Sequence, residues 1–148
     1  SGNNSLSKWY KTCKKKIGRR ILMFKTKIDI LKSKIIAAGN EYCLADLKAL
    51  DELVRDCEYY VTSVTTMERV LTIQRHRLDP ESYREAMQKA DNNRRIFHEA
   101  VMASLEAVNR LSTQVYGGEK LFTFADRHEA AEIAIQIVDE YFESGQTT

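Results

Sequence analysis

Residues 47–64 read LKALDELVRDCEYYVTSV. Leu47, Leu50, Val54, Cys57, Val61 and Val64 recur there at steps of three or four, which brings them onto one face of an α-helix. A strand would need alternation with period two, and the run has none. The stripe continues to Leu71 and Leu78, broken by the polar Glu68 and again at Arg75, so the spacing predicts a helix over 41–77.

The same test applied upstream links Leu6, Tyr10, Cys13, Ile17, Ile21, Phe24, Ile28, Leu31, Ile35 and Ala38. This predicts a helix over 5–38, stopped by Gly39-Asn40, with Gly18 the weakest internal position because glycine costs about 1 kcal/mol relative to alanine in a helix. Downstream, Asp79-Pro80-Glu81 reads as a helix start: an acceptor side chain at the cap, proline at the first helical position, and an acid favourable to the dipole. Tyr83, Met87, Ala90, Phe97, Val101, Leu105, Val108, Leu111 and Val115 then share a face until Gly117-Gly118 ends the pattern. Thr123-x-x-Asp126 resembles a capping box, and Ile133, Ile137, Val138 and Tyr141 mark a shorter last helix ending near Glu143.

The resulting expectation is an all-α fold, an elongated antiparallel bundle of three long helices plus a shorter C-terminal helix, because links as short as Gly39-Asn40 and Leu78-Pro80 force neighbours to run oppositely. Residues 1–148 read as a single helical domain, with 1–4 set aside as a tag remnant or disordered lead, 5–38 as a basic amphipathic helix and 41–143 as the remaining helices. The last helix has three possible places: completing a four-helix layer, capping one end, or packing on a second subunit.

With 148 residues, 43% hydrophobic and 30% charged, and only one Pro and six Gly, the composition is that of a globular helical chain. No apolar run approaches the roughly 20 residues of a membrane span, and no signal-peptide core precedes a cleavage site, so a soluble cytoplasmic protein is expected. Cys13, Cys43 and Cys57 are odd in number and lack Cys-x-x-Cys spacing, so neither a disulfide framework nor a metal site is expected. Cys13 and Cys57 fall on apolar stripes, where a free thiol packs as a small hydrophobe.

Charge supplies the functional pointer. Residues 1–34 hold eleven Lys or Arg (Lys8, Lys11, Lys14, Lys15, Lys16, Arg19, Arg20, Lys25, Lys27, Lys32 and Lys34) against the single acid Asp29, a net +10 that leaves −8 for the rest of a chain of +2 overall. Such a string attracts phosphates or carboxylates, and Trp9 and Tyr10 offer stacking groups beside it. The plainer reading is a solvated face, or one neutralised by the acids between Glu41 and Glu58.

Two polar residues interrupt the seams, Glu68 and Arg94, and the register counted from the turn at Asp79 pairs Glu68 with Arg94 or Arg95. Asp91, Arg95 and His98 lie within about 60° of one another on a helix, a grouping competent for acid/base work at a phosphate but lacking a second carboxylate, a nucleophile motif or a glycine-rich loop. His76 and His128 have no metal-ligand spacing.

Met67-Glu68-Arg69, Asp91-x-x-Arg94-Arg95-x-x-His98 and Asn109-Arg110-Leu111, within Val61 to Glu143, resemble a family of small helical proteins of unknown function from Gram-positive bacteria and their phages. The resemblance implies an all-α fold and a mobile-element origin, supplies no activity or ligand, and leaves the basic first helix outside it.

The leading expectation is a non-enzymatic interaction module, phage-related by that resemblance, whose basic helix binds an acidic protein or nucleic acid through Lys11, Lys14, Lys15, Arg19 and Arg20, without a cofactor. A helical homodimer with a structural or assembly role is the second reading. A small-molecule or phosphate-handling enzyme centred on Asp91, Arg95 and His98 is the third.

Overall fold

A computed structural model of the chain describes residues 8–11 and 23–143, and every regular element among them is helical. Lys8–Lys11 is helical, followed by α1 (Met23–Ala38), α2 (Cys43–Thr72), α3 (Pro80–Arg110) and α4 (Arg127–Val138). A short 3-10 turn covers Gln74–His76, and wider π turns extend α3 over Leu111–Val115 and α4 over Asp139–Glu143. Gly18 and Cys13, on which two expectations fell, lie outside the described residues.

The predicted stripes are buried along their middles, while Ala38, Leu78 and Val115 at their ends are exposed. In α1, Phe24, Ile28, Leu31 and Ile35 face inward at steps of four, three and four, and the helix stops at Gly39 with φ +58°, the left-handed conformation that costs glycine least. The α2 helix is shorter than the predicted 41–77, beginning at Cys43 and ending at Thr72. Its expected last turn holds Arg75, His76 and Arg77, all exposed, so no apolar burial draws the backbone into continued α-helix there.

The start of α3 is as read from Asp79-Pro80: the Asp79 carboxylate accepts from Ser82 N and Ser82 Oγ, both at 2.9 Å, and these bonds hold its carboxyl below the usual value. The α4 cap is a correction. It is Asp126, not Thr123: Asp126 Oδ1 accepts from Glu129 N at 2.9 Å, while Glu129 Oε2 accepts from Ala125 N at 2.8 Å. The reciprocal box therefore sits three residues later, where a Glu stands at the position that can reach back.

Contacts across the hairpin fix its direction. Tyr59 stacks near Phe97, Asp56 accepts from Ser104, and Asp46 accepts from the Tyr116 hydroxyl, so α3 numbers rise as α2 numbers fall and the two helices are antiparallel. Each spans about 45 Å at 1.5 Å per residue.

The last helix completes the bundle from inside. Ala130, Ala131, Ile133, Ala134, Ile135, Gln136, Ile137 and Val138 are all buried, so α4 is enclosed nearly all round by α1, α2 and α3. Its central position also explains why α2 buries a second row, Leu53 and Tyr60, beyond the predicted stripe: α2 meets α1, α3 and α4 together. Cys57 lies in the same core, fully buried, and desolvation pushes its thiol well up. Among the described residues no helix is long and apolar enough to cross a membrane.

Two buried polar side chains tie the connections to this core. Asn109, near the end of α3, donates to Phe122 O at 2.7 Å and accepts from Leu121 N and Phe122 N at 3.0 and 2.9 Å, pinning the link between α3 and α4 so that Leu121 and Phe122 enter the core. Glu140, only 3% exposed, accepts from Lys25 N at 2.8 Å, Phe24 N at 3.3 Å and Gln136 Nε2 at 2.9 Å. A carboxylate in the π turn after α4 thus accepts from two backbone N–H groups at the start of α1.

Candidate functional site

The site grows from the amphipathicity of α1. Burial of Phe24, Ile28, Leu31 and Ile35 leaves Lys27 and Lys34 exposed on one flank of that face and Lys25 and Lys32, half-buried, on the other. Four lysines against Asp29 make Met23–Ala38 net +3. Among the described residues, the ion pairs within 4.0 Å lie elsewhere, at Asp91, Glu99 and Glu132. Lys25 is the one turned inward over an aromatic ring, 5.4 Å from the centre of Tyr141.

Beside α1 runs the link from α3 to α4. Its shape comes from the π turn, where Tyr116 N donates to Leu111 O at 3.2 Å and Gly118 N to Ser112 O at 2.8 Å, with Gly117 at φ +65°. Ser112 Oγ then donates to Glu119 O at 2.7 Å and Lys27 Nζ to Leu121 O at 3.5 Å. The result is a cleft of about 330 Å³ between α1 and residues 118–121, lined by Lys27, Lys34 and Lys120 together with Ile30, Leu31 and Leu121. A second cleft of about 300 Å³, between α1 and α2, mixes Lys32 and Arg55 with Asp51 and Glu58, so its charges oppose one another. The phenol of Tyr141 lines it; its hydroxyl is buried without a hydrogen-bond partner, and desolvation pushes its pKa up to about 12.

Of the residues expected to meet a partner, Lys11 is described and exposed, whereas Lys14, Lys15, Arg19 and Arg20 lie outside the described residues. Trp9 and Tyr10, offered above as stacking groups, are half-buried against the core, Trp9 with its ring 5.4 Å from that of His128 and Tyr10 near Thr65. Burial of large aromatic area outweighs leaving these rings in water, and desolvation raises the Tyr10 hydroxyl.

The polar cluster on α3 separates into two systems. Asp91 pairs with Arg94 and Arg95 on its own helix, both at 2.9 Å, in place of the expected pairing of either arginine with Glu68. An i,i+3 and an i,i+4 partner are reached without crossing to α2, and they keep the guanidinium groups partly in water. The charge of Glu68 adds to desolvation in raising the Tyr10 hydroxyl.

His98 points elsewhere. Its Nε2 lies 2.7 Å from Arg127 O, and since a carbonyl only accepts, that nitrogen carries the proton and donates. Its ring packs 5.1 Å from Tyr60, and burial lowers its pKa from the ordinary 6.5. The imidazole therefore fastens α3 to the start of α4 and makes no bond to Asp91. The nearby cleft of about 220 Å³ between α2 and α3 is lined by Tyr59, Ser63, Ala90, Asn93 and Phe97 with two threonines, not by Asp91, Arg95 or His98.

Sequence comparison places this architecture in a family. The chain belongs to the family of proteins of unknown function DUF3232, whose model matches residues 24–145. The match takes in α1, which the resemblance read from residues 61–143 had left out, so the lysine-bearing helix is part of the family's shared region rather than an addition to it. No curated protein and no solved structure matches the chain.

Proposed function

We propose that this chain is a non-enzymatic interaction module that engages an acidic partner, protein or nucleic acid, through its basic N-terminal segment and α1. The observation that carries the reading is the outward face of α1, where Lys27 and Lys34 stand exposed without a carboxylate partner among the described residues. An uncompensated row of ammonium groups raises the local potential and speeds the encounter with any polyanion.

The test is a titration of the full chain with DNA, RNA and poly-glutamate over a salt series. Affinity that falls steeply with salt, and that collapses when Lys14, Lys15, Arg19 and Arg20 are reversed to Glu, is the expected result. Affinity indifferent to salt and to those reversals sinks the reading.

A second reading, a homodimer with a structural or assembly role, draws on exposed apolar side chains around the α1 to α2 turn: Ile36, Tyr42 and Leu44 are 58%, 63% and 82% exposed. Sedimentation across micromolar concentrations decides it, since a monomer throughout removes that reading.

A further inference from the structure

We propose that the cleft between α1 and residues 118–121 docks an acidic peptide segment of a protein partner, with carboxylates at Lys27, Lys34 and Lys120 and an aliphatic side chain seated over Ile30 and Leu121. The inference rests on the reading of the basic segment as an anion-binding surface, and adds a place on the molecule and a chemical class of partner.

Spacing comes first. Lys27 and Lys34 are seven residues apart on one side of α1, about 10.5 Å along its axis, and Ile30 lies between them with 54% of its surface exposed. A partner helix with acids seven residues apart and an apolar residue between them repeats that pattern. Two of the cations are positioned by the neighbouring link. Lys27 Nζ donates to Leu121 O, and Lys34 Nζ approaches Gly118 so closely that a methyl group there would lie 3.3 Å from it and 3.1 Å from Ser112 Oγ. The absence of a side chain at Gly118 thus keeps the cleft narrow and brings the Lys34 ammonium to its edge.

The lining favours a peptide over a nucleic acid. Among the described residues, no aromatic ring and no guanidinium lines the cleft, so a base finds nothing there on which to stack. The acid Glu119, exposed, also belongs to the lining, and a nucleic-acid strand, charged at every phosphate, would meet it. A peptide places its acids only where the lysines are, and its apolar side chain gains from the aliphatic floor.

The experiment uses the isotope-labelled full chain and a synthetic helical peptide carrying two Glu seven residues apart with Leu between them. Binding is followed by amide chemical shifts and by fluorescence anisotropy. A peptide with Ser in place of that Leu, a single-stranded oligonucleotide and a DNA duplex serve as comparisons. Expected are shifts concentrated at Lys27, Ile30, Lys34, Gly118 and Lys120, an affinity reduced at least about tenfold by Lys27→Glu with Lys34→Glu, and a clear loss for the Ser peptide. Both lysines are exposed, so the variants should keep the wild-type helical signal; Lys120→Glu, on the link rather than on α1, gives an independent variant.

Shifts centred elsewhere, unchanged affinity in both lysine variants, equal binding of the Ser peptide, or tighter binding of an oligonucleotide at these same residues would each overturn the proposal. If salt-dependent binding survives Lys27→Glu with Lys34→Glu but disappears on reversing Lys14, Lys15, Arg19 and Arg20, the cleft is wrong and the broader reading stands. If the wild-type chain binds none of these polyanions, both fall.

Discussion

Replacing Glu140 by Ala probes how the two ends of the chain are tied together. Its carboxylate serves Phe24 N, Lys25 N and Gln136 Nε2 from a site only 3% exposed. Without it, Gln136 Nε2 and the two backbone N–H groups at the start of α1 lose a buried carboxylate acceptor. Leaving a buried donor unpaired costs about 1–3 kcal/mol, so Glu140→Ala should lose about 3–5 kcal/mol once the emptied volume is included. That is a large part of the roughly 5–15 kcal/mol that holds a domain folded, and corresponds to a Tm lower by about 10–15 °C at this chain length. Glu140→Gln keeps one acceptor oxygen but sets an amide donor against the other N–H, and should fall between wild type and Ala. Urea and thermal unfolding followed by far-ultraviolet circular dichroism measure both variants. Glu140→Ala within about 1 kcal/mol of wild type, or Glu140→Gln indistinguishable from it, would refute the capping argument, since packing alone is nearly unchanged by Gln.

Asn109→Ala removes three hydrogen bonds to the backbone at Leu121 and Phe122 and should cost about 2–4 kcal/mol, with faster hydrogen exchange at those two amides. His98 makes stability fall in mild acid. Burial and the charges of Arg127 and Arg94 depress its pKa below 6.5, against the opposing bond to Arg127 O and the nearby Glu99, so the unfolded chain takes up the proton first. Stability is therefore full above about 6.5 and declines as pH drops through that value toward the lower folded pKa, and His98→Gln, able to donate to Arg127 O, should flatten the decline measured by urea midpoints. An unaltered slope in that variant would show that another group carries it.

Much of the fold was legible in local pattern. Leu50, Cys57, Val61 and Val64 were readable as a core face because a helix brings every third or fourth residue to one side, and Asp79-Pro80 was readable as a start because a cap acts within one turn. The depth of burial was less legible. Leu53 and Tyr60 extend the inward face of α2 only because three helices converge on it. The signal for α4 was present but unread: Ala130, Ala131, Ile133, Ala134, Ile135, Ile137 and Val138 cover every side of the helix, the mark of a central position rather than a cap. The polar residues were misjudged for a similar reason. Helical angle brought Asp91, Arg95 and His98 to one side, but tertiary neighbours chose their partners, a backbone carbonyl of α4 for His98 and guanidinium groups of its own helix for Asp91.

By itself, the sequence determined that this chain is helical, which faces of its helices are oily, and that positive charge is gathered at its beginning, because these properties arise within a few turns of one segment. Packing of the whole molecule sets α4 at the centre, brings Glu140 to the start of α1, and gathers Lys27, Lys34 and Lys120 at one cleft. Those facts depend on side chains about a hundred residues apart meeting in space, and such meetings are selected by the packing of the whole core rather than by the spacing of residues along any one helix.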